Sequence, residues 1–416
     1  MTMYKTLSKT LLTATILLAF FTYTLFTVYP SSGKAVASAV RTVSPGESIQ
    51  EAINNANEGD VIVVMPGTYQ EWPIIVNKTL TIVGKDLEST ILDGAGEANV
   101  TFHIIANNVA IENFTIQNMD TSFSVQGTAI RIYRVTNITV NKIIVRNAYR
   151  GIELLSSNST KITRCKISNS TWGIHLHEGS VNNVFVGNTI MNNSIGIYIA
   201  DAESQYNVLY HNNFINNTGQ ASVLSINYFD NDYPFGGNYW SDHIKIDSKH
   251  GVGQDEDGGD GIVDEKYQKG GVLDNYPFLN PLTAFEISAF GENFEVEIST
   301  NSSLSSYAFN PEEKSLKLQL MGKEGTIGTC RISVPKRLLS CELPSTWTIT
   351  LSNNGQLSYL ALEDTEATYL YFTYSQSNSF EIEIRGTNAI PEFPLRTLLL
   401  ILLTAVTSII LVSKRL

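Results

Sequence analysis

Four related stretches of sequence decide the fold: Ala129-Ile-Arg-Ile-Tyr133, Gly151-Ile-Glu-Leu-Leu155, Gly173-Ile-His-Leu-His177 and Gly196-Ile-Tyr-Ile-Ala200. They begin 22, 22 and 23 residues apart (151−129, 173−151 and 196−173). Within each stretch the apolar residues recur at every second position, which is the period of a β-strand and not of a helix. A self-similar unit of this length predicts a repeat architecture in which successive units stack on one another.

The alternation assigns the apolar residues to the interior of a parallel β-helix. The two predicted interior columns are Ile130, Ile152, Ile174 and Ile197, and Ile132, Leu154, Leu176 and Ile199. A second marker keeps nearly the same spacing and consists of Asn147, Asn169, Asn192 and Asn216. Asparagines at a repeated turn are predicted to form a ladder of side-chain amides, as in stacked cross-β structures.

The segments outside the repeat complete an all-β fold with hydrophobic helices at both termini. Ser48-Ile-Gln-Glu51 is typical of a helix capping box, and the short helix that follows is expected to cover the open end of the β-helix. Short alternating strands such as Phe380-Glu-Ile-Glu-Ile384 favour a β-sandwich in the last hundred residues before the C-terminal segment. The predicted domains are a signal peptide or N-terminal anchor (1–39), a β-helix with its helical cap (40–228), an acidic linker (229–283), a β-sandwich (284–388) and a C-terminal transmembrane sorting segment (389–416).

The composition narrows the class of protein. The 416 residues are 43% hydrophobic, which is enough for two domains with cores of their own. A formal net charge of −12 argues against a nucleic-acid partner. Three cysteines are too few for a disulfide scaffold. Cys330 and Cys341 are either a single disulfide of the sandwich or two free thiols, and Cys165 is predicted to be a buried free thiol.

Both ends of the chain carry apolar segments. The run over residues 11–28 is typical of a signal peptide, cleaved after Ala37 or Ala39, or of an N-terminal anchor. Near the other end, Pro391-Glu-Phe-Pro394 precedes an apolar run over residues 398–412 and a basic tail. This element resembles the PEF-type C-terminal sorting signals of archaeal surface proteins, and the resemblance implies a membrane anchor or processing by a sortase-like enzyme. We therefore expect an extracytoplasmic protein of the cell surface that is attached to the membrane through its terminal helices.

Two groups of motifs carry a resemblance to a known superfamily. Those that resemble the N-terminal cap of the pectin-lyase-like right-handed β-helix superfamily are Pro45-Gly-Glu-Ser-Ile-Gln-Glu-Ala-Ile53, Pro66-Gly-Thr-Tyr69 and Thr79-Leu-Thr-Ile-Val-Gly84. Those that resemble the end of NosD-type β-helix proteins are Gly237-Asn-Tyr-Trp-Ser-Asp242 and Asp274-Asn-Tyr-Pro277. The resemblance implies a right-handed β-helix of about seven coils. It implies no single activity, because the superfamily includes lyases, hydrolases, epimerases, binding proteins and copper-site maturation factors.

The outward residues of the repeat form the candidate functional face. One outward column holds Arg131, Glu153, His175 and Tyr198, and the next holds Tyr133 and His177. Neighbouring coils lie ~4.8 Å apart, so Glu153, His175 and His177 are expected to converge. Three interpretations remain open at this point. The first is a sugar-binding groove in which the tyrosines stack on rings. The second is a transition-metal site, since imidazole pairs bind copper or zinc, and the third is an ordinary polar surface.

Catalysis has weak support in the sequence. Glycoside hydrolysis usually needs a pair of carboxylates at a defined separation, and the outward columns hold no such pair. The hydrolase signatures of the superfamily and the aspartate cluster of its lyases are also missing from the sequence. The weak catalytic candidates are Arg131, Glu153 and His175, and an enzyme built on them is expected to be a polysaccharide lyase or a glycoside hydrolase.

The acidic run over residues 255–265 resembles a calcium-binding loop. Asp255, Asp257, Asp260 and Asp264 place carboxylates near alternate positions around glycine turns, with Gly259 as one residue too many. The alternative is an acidic, solvated loop.

The leading functional hypothesis is that the protein binds, rather than processes, an extracellular polysaccharide. The alternatives are a NosD-like protein that handles copper outside the cytoplasm, and a structural component of the cell surface without a ligand.

Overall fold

The computed structural model describes residues 38–352 and 355–389. The predicted signal segment and sorting segment lie outside this part of the chain, except for residues 38, 39 and 389. Within the described ranges, no helix is long and apolar enough to cross a membrane.

The first part of the described chain consists of short strands and one α-helix, α1 (Ile49–Asn55). In chain order its strands are β1 (Val40–Val43), β2 (Val61–Val64), β3 (Gly67–Tyr69), β4 (Ile74–Val76), β5 (Thr81–Gly84), β6 (Thr90–Ala98), β7 (Val100–Ile104), β8 (Ala110–Met119), β9 (Thr128–Tyr133), β10 (Thr139–Arg146), β11 (Arg150–Leu155), β12 (Lys161–Thr163), β13 (Lys166–Ser168), β14 (Trp172–His177), β15 (Val184–Val186), β16 (Thr189–Met191), β17 (Ile195–Ile199), β18 (Val208–Tyr210), β19 (Asn213–Ile215), β20 (Gly219–Val223) and β21 (Tyr239–Trp240).

These strands form two parallel sheets, as a β-helix requires. The first sheet follows the order β1-β2-β5-β8-β10-β13-β16-β19-β21, with β3, β6, β12, β15 and β18 pairing alongside. The second sheet is β20-β17-β14-β11-β9-β7-β4, one strand from each of seven coils. The prediction of a parallel β-helix with about seven coils is therefore confirmed.

Both predicted interior columns are present in the second sheet. Ile152 pairs in register with Ile130 and Ile174, and the column continues to Ile197. All four side chains are fully buried, and each contributes about 1.5–3 kcal/mol relative to an exposed position. Glycine begins three of the four repeats because the coils approach closely there. A β-carbon on Gly173 would lie 2.5 Å from the carbonyl oxygen of the next coil.

The asparagine ladder exists, but the prediction that Asn147, Asn169, Asn192 and Asn216 form it is wrong. These four residues have φ between 51° and 56°, and asparagine tolerates this left-handed conformation better than most residues. Their role is to turn the backbone at the corner of each coil.

Three buried ladders lie at neighbouring positions instead. In one of them, the side-chain amide of Asn188 donates to Asn212 over 2.8 Å, and that of Asn212 donates to Asn238 over 2.9 Å. Each acceptor oxygen also binds the backbone N–H of the residue above it. Asn183, Asn207 and Asn227 form a second ladder, and Asn193 and Asn217 belong to a third. The ladders satisfy buried polar groups that would otherwise cost free energy at every turn.

The predicted cap covers the N-terminal coil. Ser48 Oγ accepts a hydrogen bond from the backbone N–H of Glu51 over 3.0 Å, which begins α1 at the expected residue. The carboxylate of Glu71 accepts from the N–H groups of Ile49 and Gln50, where the helix leaves them unpaired. Ile49 and Ile53 then pack into the end of the core.

The segment predicted as a linker closes the other end of the β-helix. Trp240 stacks on Phe214 of the last coil and on Tyr267, with ring centroids 4.3 and 4.2 Å apart. The buried carboxylate of Asp274 accepts hydrogen bonds from Trp240 Nε1 and from the backbone N–H of Asn238, each over 2.8 Å. The two motifs that resemble the end of NosD-type proteins thus meet at one carboxylate. A small hairpin, β22 (Lys249–His250) and β23 (Glu256–Asp257), lies in the same segment.

The last part of the described chain forms two antiparallel five-stranded sheets. Its strands are β24 (Leu282–Ala289), β25 (Glu292–Thr300), β26 (Ser303–Asn310), β27 (Ser315–Met321), β28 (Ile327–Pro335), β29 (Thr348–Leu351), β30 (Gly355–Gln356), β31 (Tyr359–Glu363), β32 (Ala367–Ser375) and β33 (Phe380–Arg385), with a 3-10 turn at Pro344–Thr346. The sheets are β24-β25-β28-β32-β31 and β26-β27-β33-β29-β30, and both contribute to one apolar core. Cys330 and Cys341 are free thiols, so the disulfide alternative is wrong, and Cys165 is buried and free as predicted.

We predict that the ladder residues, and not the exposed turn residues, stabilise the coils. Replacing Asn212 by Ala leaves the amide and backbone N–H of Asn188 without their acceptor. The substitution should lower the free energy of unfolding by about 2–4 kcal/mol, measured by urea denaturation. The control Asn216→Gly keeps the left-handed turn and should change that free energy by less than about 0.5 kcal/mol. Equal losses in the two variants would contradict the assignment.

Candidate functional site

The candidate site is built on four neighbouring strands of the second sheet, β9, β11, β14 and β17. Glu153 of β11 lies in register between Arg131 of β9 and His175 of β14. Tyr198 of β17 continues the column beyond His175, and His177 stands two residues along β14. Parallel pairing in register therefore brings together most of the residues predicted from the sequence.

Glu153 is the centre of this cluster. One carboxylate oxygen lies 2.5 Å from Nε of Arg131. The other lies 3.1 Å from Nε2 of His177 and 3.2 Å from Nε of Arg150. Nδ1 of His175 is 3.7 Å from the same oxygen, which is too far for a hydrogen bond, and it is a buried nitrogen without a hydrogen-bond partner.

Two residues of the outward column, Glu153 and His175, are covered by their neighbours. Glu153 and His175 point away from the β-helix core, but only 2% and 5% of their surfaces are exposed. The rings of His177 and Tyr198 stack on the two sides of His175, with centroids 4.3 and 5.2 Å away. Long side chains that share one face of a sheet cover one another, so an outward residue can be buried without entering the core.

The cluster sets the charge of its members. Burial by itself raises the pKa of Glu153, but His175, His177 and Arg131 outweigh it and hold that pKa well below its ordinary value. Burial lowers the pKa of His175, and the positive charge of Arg150 adds to this shift. Near neutral pH, Glu153 is therefore ionised and His175 is neutral.

A row of aromatic rings that sequence reasoning missed borders the cluster. Trp172 lies 4.6 Å from His175, 5.1 Å from Tyr198 and 5.4 Å from Tyr149, measured between ring centroids. The guanidinium of Arg150 lies 5.0 Å above the Trp172 ring, a cation–π arrangement. Arg150 and Trp172 are partners in the parallel pairing of β11 with β14, and each directly precedes the glycine of its own repeat. Their shared place in the repeat was the sequence signal that could have revealed them.

Tyr133 is separate from this row. The centroid of its ring lies 5.9 Å from that of His103. The guanidinium carbon of Arg134 lies over the Tyr133 ring, 5.0 Å from the same centroid. The prediction that Tyr133 stacks on a sugar ring together with Tyr198 stays a prediction of the sequence.

A polar groove runs along the turns beside the aromatic row. Its lining consists of hydroxyl and amide side chains from successive coils, including Asn169, Thr171, Asn192, Ser194 and Thr218. Thr171 immediately precedes Trp172, so the groove and the row share an edge.

The cluster also contains a possible set of metal ligands. One donor atom each from Glu153, His175 and His177 lie within 4.8 Å of one another. Imidazole nitrogens suit copper, and the unpartnered Nδ1 of His175 fits a ligand position. The positive charges of Arg131 and Arg150 disfavour a cation at this place, because both guanidiniums already pair with the Glu153 carboxylate.

The four aspartates predicted to bind calcium do not gather around one point. Asp257 faces solvent and pairs with Lys249, while Asp264 accepts hydrogen bonds from Ser248 and from the backbone of Lys249. Asp260 is buried and accepts from the N–H of Ile262. Among the described residues, Asp255 forms no group of candidate metal ligands with Asp260 and Asp264. Asp260 and Asp264 serve as hydrogen-bond acceptors for the folded loop, and a calcium site there stays a prediction of the sequence.

The family comparison agrees with the fold. A family model described as "Periplasmic copper-binding protein (NosD)" matches residues 53–244. This segment forms a pectin-lyase-like parallel β-helix and is similar to the NosD family. No curated protein sequence matches the chain significantly.

Several solved structures are similar to this β-helix at low sequence identity. Pectin methylesterase PemA from Erwinia chrysanthemi is 15% identical, with 43% of this chain and 66% of that chain covered and a TM-score of 0.33. The catalytic domain of a GH87 alpha-1,3-glucanase in complex with nigerose is 17% identical, with 54% and 50% covered and a TM-score of 0.34. Alginate lyase from Paenibacillus is 17% identical, with 42% and 61% covered and a TM-score of 0.27. This chain spans less than two thirds of the length of each of the three.

We predict that Glu153 stabilises the β-helix in its ionised form. Replacing Glu153 by Gln leaves two partly buried guanidiniums without their counter-ion and should lower the free energy of unfolding by about 3–5 kcal/mol. Because the folded-state pKa of Glu153 lies below its unfolded value, its contribution is present above the unfolded pKa and is lost as pH falls below it. Urea denaturation between pH 7 and pH 3 should therefore show a weaker loss of stability on acidification for E153Q than for the unsubstituted protein.

The matched control is Glu178→Gln, on an exposed carboxylate 4.0 Å from Arg134. It should leave both the stability and its pH dependence nearly unchanged. The prediction fails if E178Q and E153Q behave alike.

Proposed function

We propose that the outward face of the second sheet binds a polysaccharide outside the cytoplasm. The observation that carries this proposal is the pair of half-buried rings Trp172 and Tyr198 beside the cluster around Glu153, with the buried ring of Tyr149 packed against Trp172. Aromatic rings present a flat apolar surface with a defined geometry, which suits the apolar face of a sugar ring.

The groups around the row supply the polar half of such a site. Arg131 and Arg150 carry N–H donors, and Tyr198 and His177 are half-buried with polar atoms at their edges. The adjacent groove adds hydroxyl and amide side chains from successive coils. Apolar platforms with a few fixed polar groups are the usual composition of a ligand site.

The same geometry favours binding over acid catalysis. A general acid must carry a proton near neutral pH, whereas Glu153 is held in its ionised form by its neighbours. Both of its oxygens are occupied by Arg131, Arg150 and His177. Glu153 is better suited to positioning the guanidiniums than to transferring a proton.

The family match supports the proposed location. The matching family model is described as periplasmic, and an extracytoplasmic place at the cell surface is consistent with a polysaccharide ligand. Attachment to the membrane through residues 1–39 or 389–416 remains a prediction of the sequence.

Binding should depend on the aromatic row. Affinity electrophoresis with polygalacturonate, alginate, xylan and laminarin should retard the protein in at least one gel. Trp172→Ala should weaken that retardation about tenfold, because a ring contact is worth about 0.5–1.5 kcal/mol and 1.4 kcal/mol is tenfold in affinity. The control Tyr228→Ala removes an exposed ring away from this face and should have no effect. If no polysaccharide retards the protein, the function of the β-helix is structural or lies with a metal.

A second candidate function, copper handling, is favoured by the ligand cluster and by the family description. The donors would be the nitrogens of His175 and His177, since the carboxylate is already held by two guanidiniums. Copper titration followed by metal analysis should then give one ion per chain, lost in both His175→Ala and His177→Ala. His103→Ala removes a nearby imidazole that is outside the ligand cluster and should retain the ion. Equal stoichiometry in all four proteins would exclude this site.

A further inference from the structure

One connection of the β-helix is longer than the architecture needs. The turn between β8 and β9 occupies residues 120–127, whereas the same turn in the next three coils occupies only residues 147–149, 169–171 and 192–194. The additional residues carry Phe123, whose side chain is 80% exposed. A large exposed ring on a segment that the fold does not require suggests contact with a ligand.

The loop is held in a defined shape by its own hydrogen bonds. The backbone N–H of Gly127 donates to the carbonyl of Asp120 over 2.7 Å, and that of Gln126 donates to the carbonyl of Ser122 over 2.8 Å. Ser122 is fixed further by a bond from its N–H to Oδ1 of Asp120. A preformed loop loses little conformational entropy when a ligand binds to it.

The loop is also tied to the site proposed above. Arg150, which lies against both Glu153 and Trp172, donates to the side-chain oxygen of Gln126 over 2.5 Å and to its carbonyl over 3.2 Å. Thr121 contributes to the lining of the polar groove. One segment therefore borders the groove and holds a guanidinium of the cluster.

Phe123 lengthens the aromatic row by one coil. Its ring lies 6.4 Å from that of Tyr149 with an interplanar angle of 63°. Rings now follow one another from Phe123 through Tyr149 and Trp172 to Tyr198, across successive coils. The row runs along the axis of the β-helix, and a bound chain lying on it would reach Phe123 only if it extended past Trp172.

We propose that the loop over residues 120–127 is an additional sugar subsite, in which Phe123 stacks on a ring beyond those held by Trp172 and Tyr198. The proposal rests on the polysaccharide function proposed above and specifies it further. The loop makes the site select for chain length: short oligosaccharides occupy the central rings, and longer ones also contact Phe123.

The test is the dependence of affinity on oligosaccharide length. Calorimetric titrations would use two series, oligogalacturonides and β-1,4-linked glucose oligomers, each from the disaccharide to the octasaccharide. In the series that binds, Phe123→Ala should weaken the longer oligomers about tenfold and leave the shortest ones unchanged. Trp172→Ala should weaken binding at every length, and Leu224→Ala, which truncates an exposed apolar residue after the last coil, should change none of the affinities.

Two further variants separate stacking from simple apolar contact. Phe123→Trp keeps a flat ring and should retain the affinity for long oligomers, whereas Phe123→Leu should lose it. Equal affinities of F123A and the unsubstituted protein at every length would overturn the subsite while leaving the central site in place. An equal loss at every length would also overturn it, because Phe123 would then act through Tyr149. If the unsubstituted protein binds neither series, the subsite is rejected for these chains, and the polysaccharide function is rejected with it only if none of the four polysaccharides retards the protein.

Discussion

Residue-by-residue pairing between parallel coils is the constraint on which the rest of this structure depends. Each coil repeats the path of the one before it, so a position on one strand lies beside the same position on the next. Apolar residues at inward positions then form columns without gaps. The corners carry buried polar groups, and these are satisfied by asparagine ladders that bond both to one another and to the backbone. A coil of a different length would break both kinds of column at once.

The same stacking produces the chemistry of the outward face. Residues at the same position of successive coils lie side by side. Charged residues in one column must therefore pair with opposite charges or be solvated. In this chain Glu153 lies between guanidiniums and imidazoles, and its carboxylate is kept ionised although it is almost completely buried. The aromatic row follows from the same geometry, since Trp172 and Tyr198 are on successive strands. A site of this kind is flat and extended along the axis, which suits a linear polymer better than a small enclosed ligand.

Both ends of the β-helix have to be closed, and the two closures differ in kind. At the start, a short helix is held by Ser48 and Glu71. At the end, a segment without long strands folds over the last coil around Trp240 and Asp274. The β-sandwich contacts this second closure, where the Arg331 guanidinium donates to the carbonyl of Asp260 over 2.5 Å. The backbone at Asp260 is therefore part of the packing between this segment and the β-sandwich.

The sequence by itself determined the parallel β-helix, its interior columns, its helical cap and the antiparallel strands that follow. These features are periodic or local, so the spacing of apolar residues and the identity of cap residues specify them. It also placed Glu153, His175 and His177 together, because stacking preserves their register. Only the tertiary structure decided that this outward column is buried, that the ladder lies at Asn188 and Asn212, and that the acidic loop is a structural closure. Those outcomes depend on how long side chains cover one another and on which backbone groups each carboxylate or amide can reach, and neither is encoded in the spacing of residues along the chain.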